Sequence, residues 1–358
     1  MKKIYLGILI ILACSANPVS AVNKTSAPAT KAGWKAVAPK GYTPITWASA
    51  PGIASFFKTP GNNGTIDYLT KIYLPQNQIN FISATSTPVN LNSANSDSKT
   101  NSDNISDYPN LSFERLGAES AKTINPSVKF LWDAPFFNMK NFASDLSMAV
   151  KYAVGTSTVV SAGSRSVPDM ALPRRMLIVN NESGKAVIKD FDSTFFIDRK
   201  NGDLAIEGFA PTVNKSDSAS AAASRLFLGV SNDGQELLVY CSNLATIGEA
   251  SQALTNAGIS PDHQMEADGG GSTACGYNLP GQFFVEPIRT LPLLMGAETI
   301  KRGTVPGVTL NVRSGPATKN PIVAKLTKGA SVRIYEEKNG WYRIGDGQWV
   351  LKTLVKTN

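Results

Sequence analysis

From Trp34 onward the apolar residues come in short runs, each closed by Gly, Pro, Asn or Asp. Runs of this kind, alternating or rich in Val, Ile, Tyr and Phe, read as β-strands. "TIDYLTKIYLP" (65–75) and "INFIS" (79–83) alternate in this way, and "SVKFLW" (127–132) reads as a buried strand leading into "DAPFFN" (133–138). Two hairpins are marked by their turns. One joins "MLIVNN" to "KAVIKDF" around Glu182, Ser183 and Gly184. The other joins "RLFLGV" to "QELLVYCS" across Asn232, Asp233 and Gly234, a turn sequence that tolerates left-handed backbone. Helices are few. "FERLGAESAKTI" (113–124) reads as one. The best-marked follows Thr246, which with Glu249 spells a capping box; Ile247, Ala250, Leu254 and Ala257 form its apolar stripe and Gly258 stops it. Many short strands with few helices predict an α+β fold with a mixed or antiparallel sheet.

The strand "QMEA" then emerges into Asp268, Gly269, Gly270, Gly271, Ser272 and Thr273. Three consecutive glycines are costly to order, so such a run is a linker or a place of close backbone approach. Its flanks, Gln264-Met265 and Cys275-Gly276-Tyr277, are not those of a linker. A carboxylate and two hydroxyls at a strand end, beside backbone N–H groups able to form an anion-binding nest, suit the floor of a pocket. Glu266 alternates with Met265 and points to that pocket or to solvent.

The ends of the chain differ in kind. Lys2 and Lys3, the apolar stretch Ile4 to Ala13 and the small residues Val19-Ser20-Ala21 read as a signal peptide (1–21), with a lipoprotein signal through Cys14 as the alternative. The apolar stretch is too short to span a bilayer, so the expected mature chain has no transmembrane span and is periplasmic or secreted. Residues 22–33 form a polar linker. Residues 84–110, rich in Ser, Asn, Asp and Thr, read as a mobile insertion. In an oxidising compartment Cys241 and Cys275 are either a disulfide or two buried thiols. The net charge is +8, and residues 301–358 hold eleven Lys/Arg against three Asp/Glu; the remaining 24 basic and 24 acidic residues balance. A basic end of an exported protein suits anionic wall polymers rather than nucleic acid. One histidine rules out an ordinary zinc site. No cofactor is required, though a divalent cation such as calcium at Asp268 or Asp133 remains an option.

Residues 304–358 carry Leu310-Asn311-Val312-Arg313-Ser314-Gly315-Pro316, Lys328-Gly329, Asn339-Gly340-Trp341-Tyr342 and Gly347-Gln348-Trp349-Val350. In that order they resemble the bacterial SH3-like domain. The resemblance implies a small all-β barrel that binds a cell-wall polymer or peptide. Tyr335, Trp341 and Trp349 are either ligand-binding or core.

Residues 34–298 resemble the phosphodiester glycosidase family, which includes the uncovering-enzyme-like catalytic domain that removes N-acetylglucosamine from a sugar phosphodiester. The likeness lies in Arg225 and Gly229 bounding a strand, the Asp233-Gly234 turn, a helix, and the run Asp268 to Ser272. It extends to Arg289 in "EPIRTLPLLM" and to "WDAPFFN", which carries Asp133 and Asn138. Asp133 stands where the family usually has Asn, and Glu266-Ala267 where Asn-Leu is commoner. The resemblance implies a hydrolase of sugar-1-phosphodiesters in envelope or exopolysaccharide material. Asp268, Arg225 and Arg289 would be its catalytic residues, and Gly269, Gly270, Gly271, Ser272, Thr273, Asp133, Asn138 and Glu266 would bind the sugar phosphate. Arginines suit a phosphate through paired hydrogen bonds, and a carboxylate suits the developing oxocarbenium centre. The alternative is a non-catalytic protein that binds polysaccharide in the same pocket.

Overall fold

A computed structural model describes residues 34–83, 89–90, 128–133, 148–153, 156–162, 173–191, 203–211, 221–278, 283–288, 293–307, 309–345 and 347–357. The expected signal peptide, the linker, the insertion 84–110 and the helix 113–124 lie outside them, apart from the two residues 89–90.

The chain begins with a meander, β1 (Thr43–Ala50), β2 (Ile53–Lys58) and β3 (Asp67–Tyr73), followed by β4 (Asn77–Ser83) and the short β5 (Val89–Asn90). Strands β6 (Val128–Asp133), β7 (Met148–Ala153) and β8 (Thr156–Ala162) come next. A hairpin of β9 (Arg174–Asn180) and β10 (Lys185–Asp190) leads to β11 (Asp203–Phe209). A second hairpin pairs β12 (Ala223–Val230) with β13 (Glu236–Ala245). Helix α1 (Ile247–Asn256) precedes β14 (Gln264–Gly269), β15 (Cys275–Tyr277), β16 (Phe283–Val285) and β17 (Leu293–Thr299).

These strands form two sheets. The larger runs β1-β2-β3-β13-β12-β14-β11-β7-β8-β5, with β9 also on β11 and β10 on β9; the smaller runs β16-β15-β6-β17-β4. One core lies between them, joining Leu226, Leu228, Val239, Met265 and Ala267 of the large sheet to Phe130, Trp132, Met295 and Ala297 of the small one. The opposite face of the large sheet receives α1, where Ala250 and Leu254 pack on Phe227, Leu238 and Tyr240. The capping box forms as its sequence requires: Glu249 N–H donates to Thr246 Oγ1 at 3.1 Å, and Thr246 N–H donates to Glu249 Oε2 at 2.7 Å.

The Cys241 and Cys275 sulfurs are bonded, with Cα atoms 6.6 Å apart, inside the usual disulfide range. Cys241 belongs to β13 and Cys275 to β15. The bond therefore crosses the core and ties one sheet to the other.

The C-terminal part starts with β18 (Lys301–Thr304), β19 (Thr309–Arg313), β20 (Ile322–Thr327) and β21 (Ser331–Ile334). It continues through β22 (Glu336–Lys338), β23 (Trp341–Gly345), β24 (Gln348–Leu351) and β25 (Lys356–Thr357). They make a three-stranded sheet, β21-β18-β25, and a five-stranded one, β20-β19-β24-β23-β22. Trp341 and Trp349 are buried, so both belong to the interior rather than to an open ligand surface.

The α+β expectation is corrected. The described residues form several sheets, every strand pair among them is antiparallel, none closes into a barrel, and one α-helix accompanies them. The fold is all-β in character. A single ten-residue helix covers only part of one sheet face, so it cannot make a second layer. The small C-terminal barrel likewise resolves into two open sheets among the described residues.

Candidate active site

Directly opposed residues on neighbouring strands share a face of the sheet, so register assigns each charged group of β11, β14 and β12 to a side. Glu266 stands opposite Phe227 on β12 and Phe209 on β11. Phe227 lies in the cluster that packs on α1. Arg225 and Glu207, each two residues before those phenylalanines, and Arg174, opposite Phe209, share that face.

Two ion pairs form there. Arg225 Nη1 donates to Glu266 Oε1 at 2.8 Å. Its Nε donates to the Ala245 carbonyl at 3.2 Å and its Nη2 to the Ala221 carbonyl at 3.1 Å. Arg174 Nε donates to Glu207 Oε1, and its guanidinium lies 3.9 Å from the centre of the Phe191 ring. Glu266 is 4% exposed and Glu207 3%. Gly269 borders the Arg225–Glu266 pair: a Cβ there would stand 3.2 Å from Glu266 Oε1 and 3.3 Å from Arg225 Nη1. Any side chain at 269 would press on the pair.

Asp268 goes the other way. Leu226 pairs with Asp268 and Phe227 with Glu266, so Ala267 is the extra residue of a β-bulge. Leu226 belongs to the inter-sheet core, and Asp268 opposite it takes the inter-sheet face. Its Oδ1 accepts the Gly269 N–H at 2.6 Å. The bulge thus places two buried carboxylates on opposite sides of one strand end. The chain then turns through a short 3-10 segment, Gly270–Ser272, with Gly270 at φ +67°. Thr273 N–H donates to the Gly270 carbonyl at 3.2 Å, and Ile288 N–H to the Gly271 carbonyl at 3.0 Å. Ser272 and Thr273 are buried, and Thr273 Oγ1 has no hydrogen-bond partner among the described residues.

Asp133 joins this region through its backbone, its N–H donating to the Ala274 carbonyl at 2.9 Å. Its side chain alternates with that of Trp132, a core residue, and so takes the outer face of the small sheet. Arg289 and Asn138 lie outside the described residues. Among the described residues no group of three His, Cys, Asp or Glu converges as a metal site. A groove of about 370 Å³ lined by Trp47, Phe57, Tyr68 and Phe284 contains none of the candidate residues.

Residues 308–356 are a bacterial SH3 domain. No curated protein matches the sequence. Among solved structures, one of a Synechocystis protein aligns at TM-score 0.40 and 12% identity, covering 72% of this chain and 64% of that one. The present chain thus spans less than two thirds of that relative. The catalytic domain of zebrafish N-acetylglucosamine-1-phosphodiester α-N-acetylglucosaminidase, auto-inhibited by its pro-peptide, aligns at TM-score 0.47 and 10% identity, covering 70% of this chain and 84% of that one. No helix among the described residues is long and apolar enough to cross a membrane.

Sequence reasoning passed over Arg174 and Glu207. The available signal was the acid in "DLAIEGF", a strand otherwise apolar around position 207, since a buried charge in such a strand needs a partner. It also left the facing of Glu266 open, and the structure buries it.

Burial holds the Glu266 carboxyl above the usual glutamate range. The Arg225 charge and hydrogen bond oppose the shift, and the Asp268 charge adds to it. In the unfolded chain the proton leaves at the ordinary value; in the folded chain it stays to higher pH. The folded state therefore binds more protons through this window, and Glu266 lowers stability as pH rises across it. The melting temperature of the wild type, measured against Glu266→Gln, is expected to fall as pH increases from the ordinary glutamate pKa through the raised one. A difference independent of pH would show that Glu266 ionises as in water.

Proposed function

We propose that the chain is an exported hydrolase that cleaves a sugar-1-phosphodiester of the N-acetylhexosamine-phosphate type in envelope or exopolysaccharide material. In this reading the bacterial SH3 domain binds wall polymer or peptide and holds the enzyme at its substrate. The observation that carries the reading is the strand end Glu266–Gly269. There two buried carboxylates and an arginine stand within one turn of the glycine run. Cleavage at the anomeric carbon expels a phosphate monoester, which leaves readily, so the chemistry needs positive charge at the phosphate and negative charge at the oxocarbenium centre. Arg225 supplies the first, supplemented by Arg289. Asp268 supplies the second. Glu266, on the opposite side of the strand end from Asp268, holds the Arg225 guanidinium in place through its ion pair. Gly269 to Gly271 allow the ligand close to the backbone, and the Thr273 hydroxyl is suited to donate to a sugar or phosphate oxygen.

One observation favours the binding-only alternative: Arg225 already gives three hydrogen bonds within the protein. Purified full-length protein given a soluble N-acetylglucosamine-1-phosphodiester separates the readings. Release of free N-acetylglucosamine is expected; saturable binding of the sugar phosphate without release would establish the alternative.

The division of labour has its own test. The excess positive charge lies in 301–358 and the glycine run in 34–298. A chain ending at Ile300 is expected to keep activity on the small substrate within about threefold, because no group assigned to the chemistry is removed. It should lose most binding to isolated cell walls, and wall binding by the full chain should weaken with salt, since exposed charge is screened over about 10 Å at 0.1 M. Co-sedimentation with walls, with and without residues 301–358, reads this directly.

A further inference from the structure

The first strand of the C-terminal part, β18, pairs with β21 so that Arg302 and Arg333 stand directly opposite each other. Cross-strand partners share a face, and this face is turned against the rest of the protein. Arg333 Nη2 donates to the Leu74 carbonyl at 3.3 Å. Gly184, in the β9–β10 turn, lies so close that a Cβ there would collide with the Arg333 guanidinium. Tyr73 and Glu182 act on the arginines from the same side, and Tyr335 from the domain itself. The two side chains are 8% and 7% exposed. None of the three guanidinium nitrogens of Arg302 has a hydrogen-bond partner among the described residues, and neither has Arg333 Nη1.

Two guanidiniums buried side by side are an expensive arrangement. Like charges repel, and a buried cation is tolerated when paired and hydrogen-bonded. Glu182 acts on Arg333 from across the contact, and neither arginine forms an ion pair among the described residues. Burial, with the charge of Arg302, pulls the Arg333 pKa down to about 10. The docked state thus covers two side chains whose guanidinium forks match phosphate oxygens and leaves four of their nitrogens unused.

We propose that Arg302 and Arg333 are a phosphate-binding site of the C-terminal domain, masked by the Leu74 and Gly184 surface, and that a phosphate-bearing polymer binds there by displacing that surface. The proposal rests on the reading of the SH3 domain as the wall-binding part. Hydrolysis of the small substrate is measured alongside, so that loss of polymer binding and loss of chemistry remain separate results.

The probe is long-chain polyphosphate, added to full-length protein, with polyglutamate of equal length as comparison. Binding is measured by calorimetry and the position of the domain by small-angle X-ray scattering. Polyphosphate is expected to bind and to increase the radius of gyration, and polyglutamate to bind at least about tenfold more weakly. Arg302→Met/Arg333→Met is expected to weaken polyphosphate binding at least about tenfold and to abolish the expansion. Its melting temperature should be equal to or above the wild type, because an uncompensated buried charge has been removed. If the double variant fails to fold, Arg302→Met alone carries the comparison. Polyphosphate binding without expansion, or equal binding by the variant, would overturn the proposal. So would a melting temperature lowered by more than about 3 °C, which would mean that the arginines are satisfied where they lie. Polyglutamate binding as tightly as polyphosphate would reassign the site to carboxylates.

Discussion

Asp268→Asn is expected to reduce hydrolysis about 10²–10⁴-fold, the range for removing a positioned acid–base or charge-stabilising group. The melting temperature should stay within about 2 °C of the wild type. The asymmetry follows from the local geometry. Asp268 is 2% exposed, and its Oδ1 accepts the Gly269 N–H at 2.6 Å. Asparagine has the same shape and keeps a carbonyl oxygen for that bond, so the strand end is preserved. What disappears is the negative charge beside the glycine run. Turnover and thermal melting on the same preparation give the result. A variant with normal turnover would show that Asp268 holds the Gly269 backbone and does no chemistry.

Replacing Cys241 and Cys275 by alanine is expected to lower stability by about 2–4 kcal/mol, the usual value of a disulfide closing a loop of this size. The two residues are separated by 34 positions. Location adds to the effect, because the bond joins β13 of the large sheet to β15 of the small one, one residue beyond the buried Thr273-Ala274. Losing it should loosen the glycine run before it loosens either sheet. Denaturant titration reads the loss, and substrate affinity is expected to fall more than the sheet signal would suggest. Thiol titration of the unfolded, unreduced wild type should find neither Cys241 nor Cys275 reactive. Two reactive thiols would mean that the sulfurs are not joined.

Much of the local structure was legible in the chain. Asn232, Asp233 and Gly234 fixed the β12–β13 turn, Thr246 and Glu249 the start of α1, and the alternation at 65–75 and 79–83 two strands. Each depends on a few neighbouring residues, whose preferences act over one turn or one pleat. The C-terminal motifs likewise sufficed for the bacterial SH3 domain at 308–356. The fold class was not legible. Counting a few helices suggests α+β, yet the balance of layers depends on how many strands join one sheet, and strand pairing is decided between residues far apart in sequence.

The candidate site divides along the same line. By itself the sequence determined that an acid, three glycines and two hydroxyls follow directly on one strand, and that Arg225 lies near the start of another. Period-two alternation would put Glu266 and Asp268 on one face. The tertiary structure decided otherwise: the Ala267 bulge turns Asp268 toward the inter-sheet core and leaves Glu266 with Arg225 on the opposite side. A bulge is a mismatch between two strands, here β12 and β14, so neither strand encodes it alone. Pairing Arg174 with Glu207 across 33 positions, and turning Arg302 and Arg333 against Leu74, are likewise results of packing. They bring together charges that local sequence keeps apart, and burial then sets how strongly those charges act.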